Sequence, residues 1–378
     1  MSNKFISFTI NNEPKYLTLQ KIGIRMDNMI IFDCERMKYP NTGLYFFCDM
    51  LAEDLSQESH LHKEKLAFYV PRELKGRWGN EFTYKVVHKF HKLFIPCNPK
   101  IKVWHTTFQL SSYIPRGKKL VLTVHDLNFL YEKKKSKHAK CLRKMQRIVD
   151  KADYIVTISE ATRKDLLENI DIKGKPIEVI YNGRNVYTGE YAEPAEVPQR
   201  PFLFTVGTVL PKKNFHVLPC LLEGNDYELI IAGVRSEYEE RIMKEAVKFG
   251  VEDRVKIIGT IPEAEKHWYL LHCKAFLFPS IAEGFGLPVI EAMYYQKPIF
   301  LSDHTCLPEI GGEFAYYFNS EFDEAQMQAE FRQGMEDFEN GGIDKEKMKE
   351  HALRFSWKTA AKRYWEIYRK LMNEKERT

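Results

Sequence analysis

Short apolar runs rich in Val, Ile, Leu, Phe and Tyr alternate with longer stretches whose apolar positions recur every three or four residues, and they do so along most of the chain. A short continuous run suits a strand buried on both faces, and the longer spacing suits an amphipathic helix. The alternation predicts parallel sheets joined by crossover helices. In the first half, strands are expected near Met29 to Asp33, Leu66 to Val70, Lys102 to His105, Leu120 to Val124, Tyr154 to Ile158 and Ile177 to Ile180. A second series is expected near Phe202 to Val206, Glu228 to Ala232, Val255 to Ile258, Ala275 to Phe278, Ile299 to Leu301 and Ala315 to Phe318, with helical stretches between its members.

The segment Thr188 to Pro201 separates the two series; it carries Gly189, Pro194, Pro198 and Pro201 and little periodicity, the composition of a linker. The expected division is residues 1–195 and 196–359. At the end, Trp357, Ala360, Ala361, Tyr364, Trp365 and Tyr368 fall on one helical face, which must be covered. The 378 residues are too many for one ordinary core and suit two domains. Two doubly wound sheets leave a cleft, and ligands bind such sheets beyond the carboxyl ends of their strands. Candidate chemistry is therefore sought just after strands.

Composition narrows the class. With 44% hydrophobic and 29% charged residues the chain is neither disordered nor fibrous. No apolar run approaches the roughly 20 residues that span a bilayer. Met1 to Pro14 lacks the order of a secretory signal, so the cytoplasm is expected. The seven cysteines never form a Cys-x-x-Cys pair, which argues against a zinc site or a disulfide framework. The net charge is only +5, but Lys133 to Lys151 holds nine Lys and Arg with almost no acid. That block reads equally as one solvated helix face or as a surface for phosphate, anionic lipid or nucleic acid. Nucleic acid is not expected, because no aromatic residues interleave with the charges.

The densest chemistry lies in Pro279-Ser-Ile-Ala-Glu283-Gly284-Phe285-Gly286-Leu287-Pro288-Val-Ile-Glu291, which follows an expected strand and opens a helix. Gly284 and Gly286 let backbone approach a ligand, and Pro288 suits a first helical turn. The free amides there, with the helix dipole, seat a diphosphate. Glu291 is placed to accept from a sugar diol and Glu283 from another hydroxyl of the same ligand.

This string resembles the nucleotide-sugar motif of the retaining glycosyltransferases of family 4, with its two Glu separated by seven residues. Other segments resemble the family in the same order. Val206-Gly207-Thr208-Val-Leu-Pro-Lys212-Lys213-Asn214 is similar to its diphosphate loop, with Lys213 at the matching lysine; Thr208 stands where many members have Arg, and Lys212 is expected to supply the second charge. Asn41-Thr-Gly43-Leu-Tyr45 resembles the glycine loop near the donor phosphates, and Val121 to Leu127 the strand end carrying the cleft histidine, His125, beside the loop residue Asp126. Ser159 is expected as a helix cap, Arg163 as a cleft residue, Asn182-Gly183 as a structural turn, and Phe355 to Ala360 as the start of a closing helix that returns residues 360–378 to the first domain.

The resemblance implies the GT-B fold, two Rossmann-like domains facing across a cleft, and transfer of a sugar from a nucleoside diphosphate with retention. The donor subsite it implies comprises Gly43, Gly207, Thr208, Lys212, Lys213, Glu283, Gly284, Phe285, Gly286, Leu287 and Glu291, with His125, Glu283 and Lys213 at the reacting centre. The Thr208 and Lys212 pattern points to the mannosyltransferase-like subgroup and GDP-mannose, with a UDP-sugar left open. A glycan or lipid-linked acceptor, a role in cell-surface polysaccharide synthesis and peripheral contact with the inner face of a membrane through Lys133 to Lys151 are implied. No Asp-x-Asp is present, and no metal or other cofactor is expected. The rival readings are a GT-B epimerase or phosphorylase, and a silent nucleotide-sugar-binding protein.

Overall fold

A computed structural model describes residues 5–10, 13–18, 28–40, 42–132, 135–185 and 187–373. A hairpin of β1 (Phe5–Ile10) and antiparallel β2 (Glu13–Thr18) precedes two parallel sheets. The first sheet comprises β3 (Met29–Asp33), β4 (Lys65–Val70), β5 (Thr83–Val86), β6 (Ile101–Thr106), β7 (Lys119–Val124), β8 (Tyr154–Thr157) and β9 (Ile177–Val179). The second comprises β10 (Phe202–Val206), β11 (Glu228–Ala232), β12 (Val255–Gly259), β13 (Ala275–Phe278), β14 (Ile299–Ser302) and β15 (Tyr316–Phe318). Their spatial orders are β5-β4-β3-β6-β7-β8-β9 and β12-β11-β10-β13-β14-β15. Each order reverses direction once, at β3/β6 and at β10/β13, and such a reversal opens a crevice at the carboxyl ends of the two strands.

Every strand expected from the apolar runs is present, while β5 and the hairpin were not anticipated. Alternation within strands explains the layers: Ile30 and Phe32 enter one core, and Ile31 between them enters the core on the opposite face. Helices α1 (Gly43–Ser59), α2 (Phe129–Glu132), α3 (Lys135–Val149) and α4 (Glu160–Asn169) accompany the first sheet. Helices α5 (Glu239–Lys248), α6 (Glu263–His272), α7 (Leu287–Tyr294), α8 (Leu307–Gly311), α9 (Glu324–Glu339) and α10 (Lys345–Arg354) accompany the second. One expected helical stretch is missing. Between β10 and β11 the chain makes only three 3-10 turns, at Pro211–Lys213, Phe215–Val217 and Pro219–Leu222. Asn214 is left-handed at φ 59°, and Pro219 cannot donate an amide to a continuing helix, so no long helix propagates there.

The aromatic tail is α11 (Trp357–Asn373), which packs against α1 beside the first sheet. Tyr368 Oη lies 2.6 Å from His105 Nδ1, whose Nε2 is 2.7 Å from Thr123 Oγ1, which in turn meets Tyr364 Oη at 3.0 Å. Trp365 donates its indole N–H to the Leu55 carbonyl at 3.3 Å and stacks on His62. A fully buried indole with a satisfied N–H is costly to remove: Trp365→Ala is expected to destabilise the first-sheet half by about 3–5 kcal/mol. Urea unfolding followed by fluorescence checks this; an unchanged midpoint would mean that α11 does not close that core.

Candidate active site

The two loops at the β10/β13 reversal meet. After β10, Gly207 turns the chain into the 3-10 turn that ends at Lys213; a Cβ on Gly207 would sit 3.1 Å from Lys213 Cε, so the missing side chain makes room for the lysine stem. After β13, Ser280 and Glu283 approach from the other side. Lys213 Nζ reaches Glu283 Oε1 at 2.5 Å, and Ser280 Oγ donates to the same oxygen at 2.6 Å. The Lys213 ammonium also lies over the Phe278 ring, 4.5 Å from its centroid. Both charged side chains are largely buried, which strengthens the attraction between them. The Glu283 amide donates to Thr305 Oγ1 at 3.2 Å, tying its loop to the end of β14.

The same loop then opens α7. Gly286 takes φ 96°, a left-handed conformation that glycine adopts without strain, and Leu287 and Pro288 form the first turn. Pro288 brings no N–H and the Val289 amide donates to the Gly286 carbonyl at 2.9 Å, so this end of the helix offers a ligand chiefly its dipole, which is positive there. Phe285 is a core side chain, set edge-on to Phe355 at 5.6 Å, so only its backbone is available to a ligand. Thr208 is half-buried in the loop after β10.

Glu291 lies deeper, 2% exposed, with Oε1 accepting from Asn185 Nδ2 at 3.0 Å and Oε2 facing Lys266 Nζ at 3.0 Å. Burial pulls Lys266 towards neutrality, but Glu291 and Glu263 outweigh it and hold it charged, with its pKa raised. A carboxylate has about four lone-pair directions, so Glu291 keeps acceptor capacity beyond these two partners. Neither Lys266 nor Asn185 was singled out from sequence.

His125 closes β7 opposite this loop. Its Nε2–H donates to the Thr107 carbonyl at 2.8 Å, and its ring edge meets Phe47 of α1, 4.5 Å between centroids. Burial lowers its pKa to about 4, so the ring is neutral and its Nδ1 is an acceptor. A Cβ on Gly284 would fall 2.2 Å from the His125 carbonyl oxygen, and Ser159, the N-cap of α4, donates to the Gly284 carbonyl at 3.0 Å. The two halves thus touch backbone to backbone at His125 and Gly284. Glu309 of α8 adds a second bridge that sequence reading missed: its oxygens accept the Glu160 and Ala161 amides at 2.7 and 2.9 Å, at the start of α4.

Other expected residues fall elsewhere. Lys212 does not join Glu283 directly; it pairs with Glu132 of α2 at 3.0 Å, across the cleft. Burial would lower its pKa, but Glu132 and Glu283 outweigh that and raise it. Gly43 begins α1 with open space where a Cβ would stand, and Asn41 lies outside the described residues. Arg163 pairs with Glu160 on its own helix. Asp126 is half-buried beside Gly284, where its carboxylate accepts the Asn128 amide at 3.0 Å and the loss of solvent raises its pKa. Gly183 packs against Trp357, where a Cβ would come within 2.1 Å of the Trp357 nitrogen. Beside Lys212, where the crossover helix is missing, a cavity of about 930 Å³ is bounded by Tyr131 and Glu132 from one half and by His216, Tyr238 and Arg241 from the other.

Two family descriptions match the chain and between them span most of it: Glycosyltransferase Family 4 over residues 45–186 and Glycosyl transferases group 1 over residues 190–354. The chain belongs to glycosyltransferase family 4. Among curated relatives, the O-antigen chain mannosyltransferase B of Escherichia coli is 23% identical over 75% of this chain and 84% of its own length. The O-antigen chain mannosyltransferase RfbU of Salmonella typhimurium is 27% identical over 57% of this chain and 61% of its own. The match to the serotype-specific mannosyltransferase WbdA of Escherichia coli, 28% identical over 61% of this chain, spans only 30% of that longer protein. In fold, the family 4 glycosyltransferase superposes on sucrose-phosphate synthase from Thermosynechococcus elongatus, with TM-score 0.70, 17% identity and coverage of 92% of this chain and 100% of that one. It also superposes on Anabaena HepE in complex with UDP and glucose, with TM-score 0.67, 16% identity and coverage of 90% and 99%. The fold is GT-B.

Two outcomes follow for the glycosyltransferase. Gly284→Ala must push His125 and its own loop apart, a change expected to cost about 1–3 kcal/mol of stability, whereas Gly43→Ala should stay within about 0.5 kcal/mol. Denaturant unfolding of both variants checks this; equal midpoints would mean that the halves do not meet at Gly284. The second outcome concerns pH. Burial holds His105 at about 3 and His125 and His216 at about 4, below the ordinary 6.5. Below pH 6.5 the unfolded chain binds protons that these folded imidazoles refuse, so stability is full above that pH and falls as pH drops towards 4. Calorimetric melting should be level from pH 7 to 8 and fall from about 6.5 downward, before most carboxylates titrate; a level profile to pH 5 would contradict the burial.

Proposed function

We propose that the enzyme transfers mannose from GDP-mannose to a glycan acceptor, with retention of anomeric configuration and without a metal ion, in the synthesis of a cell-surface polysaccharide. The observation that carries the reading is the Lys213–Glu283 pair at the β10/β13 reversal, beside the amino end of α7 and in reach of His125 through Gly284. A donor diphosphate is the group such a site suits: Lys213, and Lys212 at the cleft edge, supply fixed positive charge, and the positive end of the α7 dipole adds to it. The leaving group gains negative charge in the transition state, so the same contacts strengthen as the bond breaks. The names of the O-antigen mannosyltransferase relatives support mannose and polysaccharide over other sugars and acceptors.

In this reading the diphosphate displaces Glu283 from Lys213 and frees the carboxylate for a donor-sugar hydroxyl, while Glu291 accepts from the ribose diol. The acceptor hydroxyl oxygen attacks the anomeric carbon on the face that the diphosphate leaves. The bond between the anomeric carbon and the β-phosphate oxygen breaks, its electrons go to GDP, and the hydroxyl proton passes to a donor phosphate oxygen. The neutral His125 ring and its carbonyl line the sugar side; no protein nucleophile is required.

Calorimetric titration with GDP, UDP and ADP, each with and without EDTA, tests the donor. Micromolar binding of GDP that EDTA leaves unchanged and Glu291→Ala weakens is the expected result. Selective UDP binding would replace the sugar nucleotide, and binding of none would remove the donor site. With GDP-mannose and a competent acceptor, Lys213→Ala is expected to lower kcat about 10²–10³-fold, the usual size of one lost transition-state contact. Full turnover by that variant would sink the phosphate clamp, and binding without transfer by the parent would favour a silent nucleotide-sugar-binding protein.

A further inference from the structure

Between β10 and β11 the chain makes only short 3-10 turns, and the space that a crossover helix would fill is the cavity of about 930 Å³ beside Lys212. Ligand pockets run to roughly 1,000 Å³, so this one has room for a ligand of several rings. The second half supplies most of the wall, from the turns, α5 and the loops after β14 and β15, and the first half supplies Tyr131 and Glu132 at the end of α2. The residues that follow, Lys133 and Lys134 of the basic block read from sequence, lie outside the described residues.

Flat rings border this cavity. Tyr131 is 48% exposed, and its hydroxyl lies 3.0 Å from each carboxylate oxygen of Asp165, which holds the ring in place while much of it stays open to solvent. Phe322 stacks on His304, with the rings 19° apart and 5.9 Å between centroids. Its backbone is left-handed at φ 52°, an unusual conformation for a bulky side chain, and its amide donates to the Asn319 carbonyl at 2.9 Å. Asn214, also on the wall, and Thr305, next to His304, are left-handed too, so three of the five such non-glycine residues among the described ones gather here. Backbones of this kind persist where the surroundings impose them, and they collect at binding sites.

The charge of the wall decides what the rings can meet. Glu132, Glu245, Glu321 and Glu324 line it against Lys212 and Arg241, and Lys212 is already paired with Glu132. An excess of carboxylates turns away a phosphate and offers acceptors to hydroxyl groups. Tyr238 Oη lies 2.5 Å from His216 Nδ1, and burial, then Arg241, lowers the His216 pKa to about 4. That neutral ring both donates and accepts, as a sugar hydroxyl does. The cavity also leads to the reacting centre. The Ile281 amide donates to the Lys212 carbonyl at 2.9 Å, and Lys212 and His304 each stand one residue from a group that touches Glu283, Lys213 and Thr305 respectively.

We propose that this cavity is a subsite for an extended glycan acceptor and holds neutral sugar units remote from the reacting hydroxyl. Tyr131 and Phe322 stack on the apolar C–H faces of the sugars, and Glu321 accepts from their hydroxyls. The hydroxyl to be glycosylated lies at the Glu283 end, and the preceding sugars occupy the space where the crossover helix is missing. The identity of the ligand rests on the transfer reaction proposed above, while the cavity shares only Lys212 with the donor subsite, so the two can fail separately.

Saturation-transfer NMR of the full chain with α-mannotetraose and with mannose, each with and without GDP, tests the subsite. Saturable binding of the tetraose, much weaker binding of mannose and no displacement by GDP are expected. Tyr131→Ala and Phe322→Gly should each weaken tetraose binding about tenfold, and Tyr131→Phe, which keeps the ring, should weaken it less. Glycine adopts the left-handed backbone at 322 without strain, and unchanged near-ultraviolet circular dichroism reports that the variants remain folded. With GDP-mannose as donor, Tyr131→Ala and Phe322→Gly are expected to raise KM for the tetraose by a similar factor, with kcat and the KM for methyl α-mannoside within about twofold of the parent. Absence of tetraose binding, tetraose binding that both variants leave intact, affinity no greater than that for mannose, or displacement of the tetraose by GDP would overturn the proposal. Tetraose binding lost in both variants, by a parent that binds no GDP, would uphold the subsite and remove the donor reading alone.

Discussion

The approach of Gly284 to His125 is the constraint on which the site depends. With no side chain at Gly284, a loop from one sheet reaches the backbone at the end of a strand of the other. Ser159 then fastens the Gly284 carbonyl, and Glu309 fastens the first amides of α4 a short distance away. Each contact uses a backbone group at a strand end or a helix start, the places where such groups lack partners of their own. The halves are joined by completing one another's unsatisfied ends.

Charge in the site is arranged around the same junction. Lys213 and Glu283 neutralise each other, Lys266 sits between Glu291 and Glu263, and Lys212 and Glu132 are paired across the cleft. A lysine held by one carboxylate is preorganised without being left bare in a partly dry environment, where an unpaired charge is costly. The ion pairs keep the cations in position.

Much of this was legible in the chain. The strands of both sheets were visible because burial on both faces demands continuous apolar runs such as Leu120 to Val124. Strand β5, half-buried at a sheet edge with Thr83 and Lys85, carries no such mark. The hairpin of β1 and β2 was missed because the polar run Asn11, Asn12 and Glu13 looks like an interruption in a linear reading. The glycine-rich loop and Lys213 were legible because their spacing is local. Lys266, Asn185 and Glu309 were not, because the partners that tie them to the site, Glu291 for the first two and the first amides of α4 for the third, lie at least 25 residues away in sequence and only the folded sheets bring them together. Lys212 shows the limit of a local reading: its neighbour Lys213 takes the central carboxylate, and a residue from the other half takes Lys212.

The return of α11 to the first sheet has a mechanical meaning. The chain crosses between the halves twice, near Gly183 and again near Trp357, and the crossings lie against each other, with the Arg184 amide donating to the Phe355 carbonyl at 2.9 Å. Two adjacent tethers define a line, as two knuckles define the pin of a door. Two tethers side by side resist sliding of one sheet past the other and leave rotation about that line as the least hindered relative movement.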